Sequence, residues 1–208
     1  MLSAIRTPQI SFFSSLLGKQ VQDVDVVFAI SATASDAQQT FGVMKDVMKT
    51  IFEKQGVDNM RLAIIVFGDA VSVRLSFDEE VTELEELKER IDNLPRNTGT
   101  PDLNAALVEG NSLLAEARPN AKKVLVIISD DTSDSKPWEI RANARELEEE
   151  EIEVVPVGMG NEVDLKQLEH ITPHKDNLIT AEKDDDTDDL ADEILEKILR
   201  SKYHISRG

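Results

Sequence analysis

Hydrophobic and polar positions change period repeatedly along this chain, and each change marks an element. Val24 to Ile30 is apolar at every position except Asp25 and rich in β-branched residues. A run that short and that apolar predicts a central strand buried on both faces. From Ala37 to Gln55, Phe41, Met44, Val47, Met48, Ile51 and Phe52 recur at helical spacing before Gly56, which predicts an amphipathic helix whose Met and Phe stripe is core rather than a cofactor groove. Arg61 to Phe67 reads as a second buried strand closed by Gly68-Asp69. Val71 to Phe77 then alternates apolar and polar residues, the pattern of a half-buried edge strand paired antiparallel through a tight turn.

Glu83 to Leu94 predicts a short acidic helix stopped by Pro95. Arg96 to Asp102 is a polar, turn-rich loop, and Leu103 to Ala117 resumes helical spacing. Lys123 to Ser129 is a third apolar strand that runs into Asp130-Asp131. A helix over Pro137 to Glu151 follows, then a strand over Ile152 to Val157 ending in Gly158-Met-Gly160. The chain closes with a short helix over Asp164 to Ile171, a strand over Asn177 to Ala181 and an amphipathic helix over Leu190 to Leu199. Strands alternating with helices in this way predict an α/β fold, a doubly wound and mainly parallel six-stranded sheet with one antiparallel edge strand and helices on both faces.

In an open sheet of this kind ligands bind beyond the carboxyl ends of the strands. The polar clusters of this chain fall there: Ser31, Thr33 and Ser35 after the first strand, Thr98 and Thr100 before a helix, and Asp130 after another strand. Length changes little in this picture. With 208 residues, 40% of them hydrophobic, the chain can bury a full core, and the pattern predicts one domain over 23–200 with an extension at 1–22 and a tail at 201–208.

Charge changes more. Asp+Glu of 41 against Lys+Arg of 23 gives a formal charge of −18, which opposes binding to nucleic-acid phosphates and anionic membrane surfaces and favours a cationic partner or a metal ion. There is no cysteine, so the fold uses no disulfide. No apolar stretch approaches the ~20 residues of a membrane span. Ile10 to Leu17 is apolar and follows Arg6, but serines interrupt it and no small-residue cleavage pattern follows; it makes a poor signal peptide and reads as an extension or short helix packing on the domain, with a remnant of processing as the alternative.

Catalytic chemistry finds little support. His170, His174 and His204 lie outside any zinc-ligand spacing. Gly158-Met-Gly160 lacks the third glycine of a dinucleotide fingerprint. The acidic run Asp184 to Asp189 lacks the order of an EF-hand and reads as a solvated loop leading into a helix. No serine is accompanied by a recognisable base and orienting acid. The expectation is therefore that the protein is not an enzyme.

The segments DVVFAISATAS, NTGTPDLNAAL, KVLVIISDDTSD and VVPVGMGNEVDLKQLEHI resemble the successive blocks of the von Willebrand factor type A domain, the fold of integrin inserted domains and of matrix proteins such as collagens and matrilins. The resemblance runs from about Asp23 to Leu199. It implies the strand order 3-2-1-4-5-6 with strand three antiparallel, and it implies a metal-ion-dependent adhesion site made from an Asp-x-Ser-x-Ser motif, a Thr and a second Asp. Carried over by position, Ser31 stands where the first Asp belongs. Thr33 and Ser35 match the two hydroxyl ligands, Thr100 matches the Thr and Asp130 the last Asp.

In the family, magnesium at an intact site accepts an acidic side chain from the protein partner. Magnesium is commonly held by one or two carboxylates plus neutral oxygens and waters, and here one carboxylate is missing, so the site is degenerate. Two readings stay open for these residues. They form a weak magnesium site, with Asp131 or Asp102 compensating, or the hydroxyls cap helices and turns while Asp130 accepts backbone N–H groups. The function implied by the resemblance is a non-enzymatic protein-binding module of adhesion or extracellular-matrix type, binding at the carboxyl edge of the sheet with metal dependence weakened or lost. The alternatives are a structural or assembly domain without metal-dependent binding and an intracellular scaffold subunit.

Overall fold

The computed structural model describes residues 23–31, 33, 37–58 and 60–200. The predicted extension 1–22 and tail 201–208, together with Ser35 and His204, lie outside the described residues. Strand β1, Val24–Ser31, is buried at every position, because it pairs on both sides and is covered on both faces. It runs parallel to β2, Met60–Phe67, and to β4, Lys122–Ser129, with Ile30 opposite both Val66 and Ile128. Next to β4 lies β5, Glu153–Met159, and then β6, Ile179–Ala181, both parallel. At the other edge β3, Val71–Leu75, is antiparallel to β2. The order β3-β2-β1-β4-β5-β6 and the antiparallel third strand are those implied by the resemblance.

Alternation along β1 divides the core. Val24, Val26, Phe28 and Ile30 pack with helices α1 (Ala37–Gln55), α2 (Leu84–Asp92) and, beyond β6, α6 (Thr187–Leu199). Val27 and Ala29 face α3 (Leu103–Leu114), α4 (Pro137–Glu149) and α5 (Leu165–Glu169). Phe41, Met44, Val47, Met48, Ile51 and Phe52 of α1 are all buried, so the stripe is core, each such side chain contributing about 1.5–3 kcal/mol on burial.

Element ends differ from the sequence reading where a side chain sets them. The last helix begins at Thr187 rather than Leu190, since Asp186 accepts from the backbone N–H of Asp188 at 2.8 Å and caps it. Strand β6 shrinks to Ile179–Ala181 because Asn177 ends a 3-10 turn and donates through Nδ2 to the Val154 carbonyl at 3.2 Å.

The amino edge of the sheet holds buried charge. Asp25, fully buried, accepts from Arg61 Nε at 3.0 Å and Nη2 at 2.7 Å, and from the Arg118 backbone N–H at 2.6 Å and Nε at 2.9 Å. Burial pushes its carboxyl pKa up, but the Arg61 and Arg118 hydrogen bonds outweigh that and hold it below the ordinary value. Lys122 is also buried; its Nζ lies 2.7 Å from Glu153 Oε2 and donates to the Ile198 and Arg200 carbonyls at 2.7 Å each, closing the C-terminal end of α6. With one end locked in this way, the loops of the opposite, carboxyl edge carry the polar clusters.

Candidate functional site

The parallel register sets Ser31 opposite Ser129, so the residues that follow β1 and β4 meet over the end of the sheet. There Asp130, 1% exposed, accepts from the Thr33 backbone N–H through Oδ1 at 2.8 Å. Thr33 Oγ1 reaches Asp131 Oδ2 at 3.4 Å, and Asp131 Oδ1 accepts from the Thr132 backbone N–H at 2.7 Å. Ser31 is wholly buried, and its Oγ has no hydrogen-bond partner among the described residues. Three of the predicted site residues, Ser31, Thr33 and Asp130, are thus brought to one place by the ends of two adjacent strands. Ser35 lies outside the described residues.

Thr100 comes from a separate loop and is exposed. That loop is held against the β2–β3 turn by backbone bonds from Asp69 N to Thr98 O at 3.1 Å and from Asp102 N to Gly68 O at 2.9 Å. Asn97 Nδ2 adds bonds to the Val66 and Ala70 carbonyls at 2.9 and 2.8 Å. Both glycines at this contact are required: a Cβ on Gly68 would lie 2.4 Å from Thr98 O, and Gly99 has φ +84°. The loop therefore presents Thr100 from a rigid support.

The sequence reading missed the residues that hold the start of α3. Ser133 Oγ accepts from Leu103 N at 3.1 Å, Ser135 Oγ from Asn104 N at 3.0 Å and Asp102 Oδ1 from Ala105 N at 2.9 Å. Three first-turn N–H groups that no helix can satisfy internally are satisfied by side chains, two of them from the loop after β4. Gln167 of α5 fixes that loop in turn, exchanging 2.9 and 2.7 Å bonds with the Ser133 main chain. Asp102, named in the sequence as a carboxylate that could compensate in a magnesium site, is an N-cap. The polar run after Asp131 was visible in the sequence, but nothing in it named the helix that it caps.

As a donor set for a divalent cation the cluster is poor. Its one deeply buried carboxylate, Asp130, already accepts a backbone N–H, and the other predicted donors are neutral hydroxyls. No group of three or more His, Cys, Asp or Glu side chains placed to hold a metal occurs among the described residues. With serine at position 31, the described residues offer magnesium one buried carboxylate beside neutral hydroxyls, a weakly charged donor set.

The model of the von Willebrand factor type A domain matches residues 25–193. This chain belongs to that family. Its type A domain is 28% identical over 150 residues to the collagen alpha-6(VI) chain of Mus musculus, covering 68% of this chain and 6% of that one. It is 24% identical over 186 residues to the mouse collagen alpha-4(VI) chain, covering 87% of this chain and 8% of the other. The chain thus spans less than a tenth of the length of either collagen.

Among solved structures, proximal thread matrix protein 1 from the mussel byssus, with a zinc-occupied metal-ion-dependent adhesion site, superposes with a TM-score of 0.75 at 19% identity, covering 86% of this chain and 46% of that one. The manganese-loaded TRAP protein of Plasmodium vivax gives a TM-score of 0.70 at 14% identity, over 85% and 74% of the two chains. Those likenesses concern the fold; the metals belong to those proteins. No helix among the described residues is long and apolar enough to cross a membrane.

Proposed function

We propose that this type A domain is a non-enzymatic protein-binding module of extracellular-matrix type, which engages a protein partner at the carboxyl edge of its sheet with little or no dependence on a divalent ion. The observation that carries the reading is the braced edge itself. The loop after β4 holds the Thr33 backbone N–H through Asp130 and the start of α3 through Ser133 and Ser135, and the Thr100 loop is fixed to the β2–β3 turn, so binding at these residues would order few new groups, and a preorganised surface keeps more of its interaction energy. Trp138, in the first turn of α4, is 66% exposed and follows the carboxyl end of β4 on the same edge. An exposed tryptophan beside rigid polar loops has the composition of an interface anchor. Location in the matrix and the non-enzymatic role rest on family and on the collagen VI and byssal relatives.

Serine in place of aspartate at position 31 favours metal independence over the adhesion mechanism in which an ion accepts the partner's acidic side chain. A panel of purified matrix proteins immobilised on a sensor surface tests both statements. Binding of the parent is expected to be the same in magnesium and in excess chelator. Trp138→Ala is expected to weaken binding at least about tenfold, the effect of losing an anchor worth more than about 1 kcal/mol. Thr100→Ala should weaken it about five- to tenfold, for one hydrogen bond worth about 1 kcal/mol. Both residues are exposed, so melting temperatures should not move. Unchanged affinity in both variants would put the interface on another face, and loss of binding in chelator would restore the ion.

A further inference from the structure

A cavity of about 450 Å³ opens at the amino edge of the sheet, far from the site above, between α1, β2, β3 and α2. Phe52, Met60, Leu62, Leu75, Phe77 and Leu87 line it, each of them at most 7% exposed. A space of this size, with an apolar floor and a charged lip, holds several side chains or a small ligand. We propose that its occupant is the chain's own N-terminal segment, with the apolar side chains of residues 10–17 filling it. The inference does not depend on what binds at the carboxyl edge.

Position, composition and charge all point to this occupant. Val24 pairs with Met60, a cavity-lining residue, across adjacent strands, which sit about 4.8 Å apart. Asp23 lies 3.1 Å from Arg118, which also lines the cavity. The 22 residues before Asp23 thus join the domain beside the cavity. From Leu17 to Asp23 the chain can span up to about 20 Å, enough to turn back into it. Residues 10–17 supply Ile10, Phe12, Phe13, Leu16 and Leu17.

Charge agrees as well. The segment 1–22 carries Arg6 and Lys19 and no acidic residue, in a chain of net charge −18. The lip of the cavity presents the exposed carboxylates of Asp58, Asp78 and Glu80, while the two arginines that also line it, Arg61 and Arg118, are engaged with Asp25.

Photo-cross-linking of the full chain tests this. With p-benzoylphenylalanine in place of Phe13, irradiation and mass spectrometry should give intrachain cross-links to positions 57–62 and 75–82. Val57→Trp, which plugs the mouth, should abolish them without changing the circular dichroism; Thr82→Trp, at an exposed position on the same lip, does the same if that variant fails to fold. Cross-links to a second copy, to another face, or none at all would overturn the proposal. So would cross-links that survive the plug, or a small-molecule adduct retained by the full chain in native mass spectrometry and displaced by it.

Discussion

Asp25→Ala is expected to destabilise the domain by about 3–5 kcal/mol at neutral pH, the range for removing one partner of a buried ion pair. Asp25 is wholly buried in the central strand, and its carboxylate meets two guanidinium groups and a backbone N–H. Arg61 and Arg118 are partly exposed, with side chains at 34% and 28%, so water can rehydrate them in part, which places the expected loss toward the lower end of that range.

The pH dependence has a definite sign. Since the folded pKa of Asp25 is depressed, its contribution is complete above the unfolded value of about 3.9 and is lost as pH falls from there through the folded pKa. Urea denaturation of parent and variant at pH 7 and near pH 3 should therefore show a large stability gap that narrows in acid. No gap at pH 7 would mean that the cluster does not stabilise the fold, and an equal gap at both pH values would mean that its contribution does not come from the ionised carboxylate.

Asp25 also shows how far residue pattern carries and where it stops. A lone acid in an otherwise apolar strand was plain in the sequence, because a strand buried on both faces has no solvated position for it. Its partners were not, since Arg61 arrives through strand register and Arg118 from a loop 93 residues away. The six strands could be read from their unbroken or alternating apolar runs, which follow from whether one or both faces are covered. Boundaries failed at Asp186, whose local cap starts α6 one turn early, and at Asn177, whose side chain is drawn into a tertiary bond to the Val154 carbonyl of β5.

The same division holds at the carboxyl edge. Ser31, Thr33 and Asp130 could be grouped because they follow adjacent parallel strands, and Thr100 because the loop before α3 resembles the family's second loop. The capping of α3 by Ser133 and Ser135 could not, because the helix precedes its caps by a whole strand. Asp130 accepts the Thr33 backbone N–H through one carboxylate oxygen, Oδ1, a bond that follows from the two strands ending side by side.

Ser31→Asp should convert this edge into one that responds to magnesium. Ser31 is fully buried at the end of β1, opposite Ser129 and one residue from Asp130 along that register. A carboxylate there adds a unit charge worth about 1 kcal/mol in water and about 4 at an effective dielectric near 20 for a charge about 4 Å away. Taking about 1–4 kcal/mol as the net gain, magnesium should bind roughly tenfold to a thousandfold more tightly than to the parent. Without the ion the new acid sits in a buried position near a like charge, so the variant should be less stable than the parent and its new carboxyl group should have a raised pKa. Magnesium at 100 times the variant's Kd would then add about 2.7 kcal/mol through linkage, a rise in Tm of about 5–10 °C for a domain of this size, with the parent nearly unmoved. Calorimetric titration and thermal scans of both proteins in magnesium and in chelator decide the matter. If magnesium shifts both proteins equally, or neither, Ser31 does not occupy the position of the missing ligand.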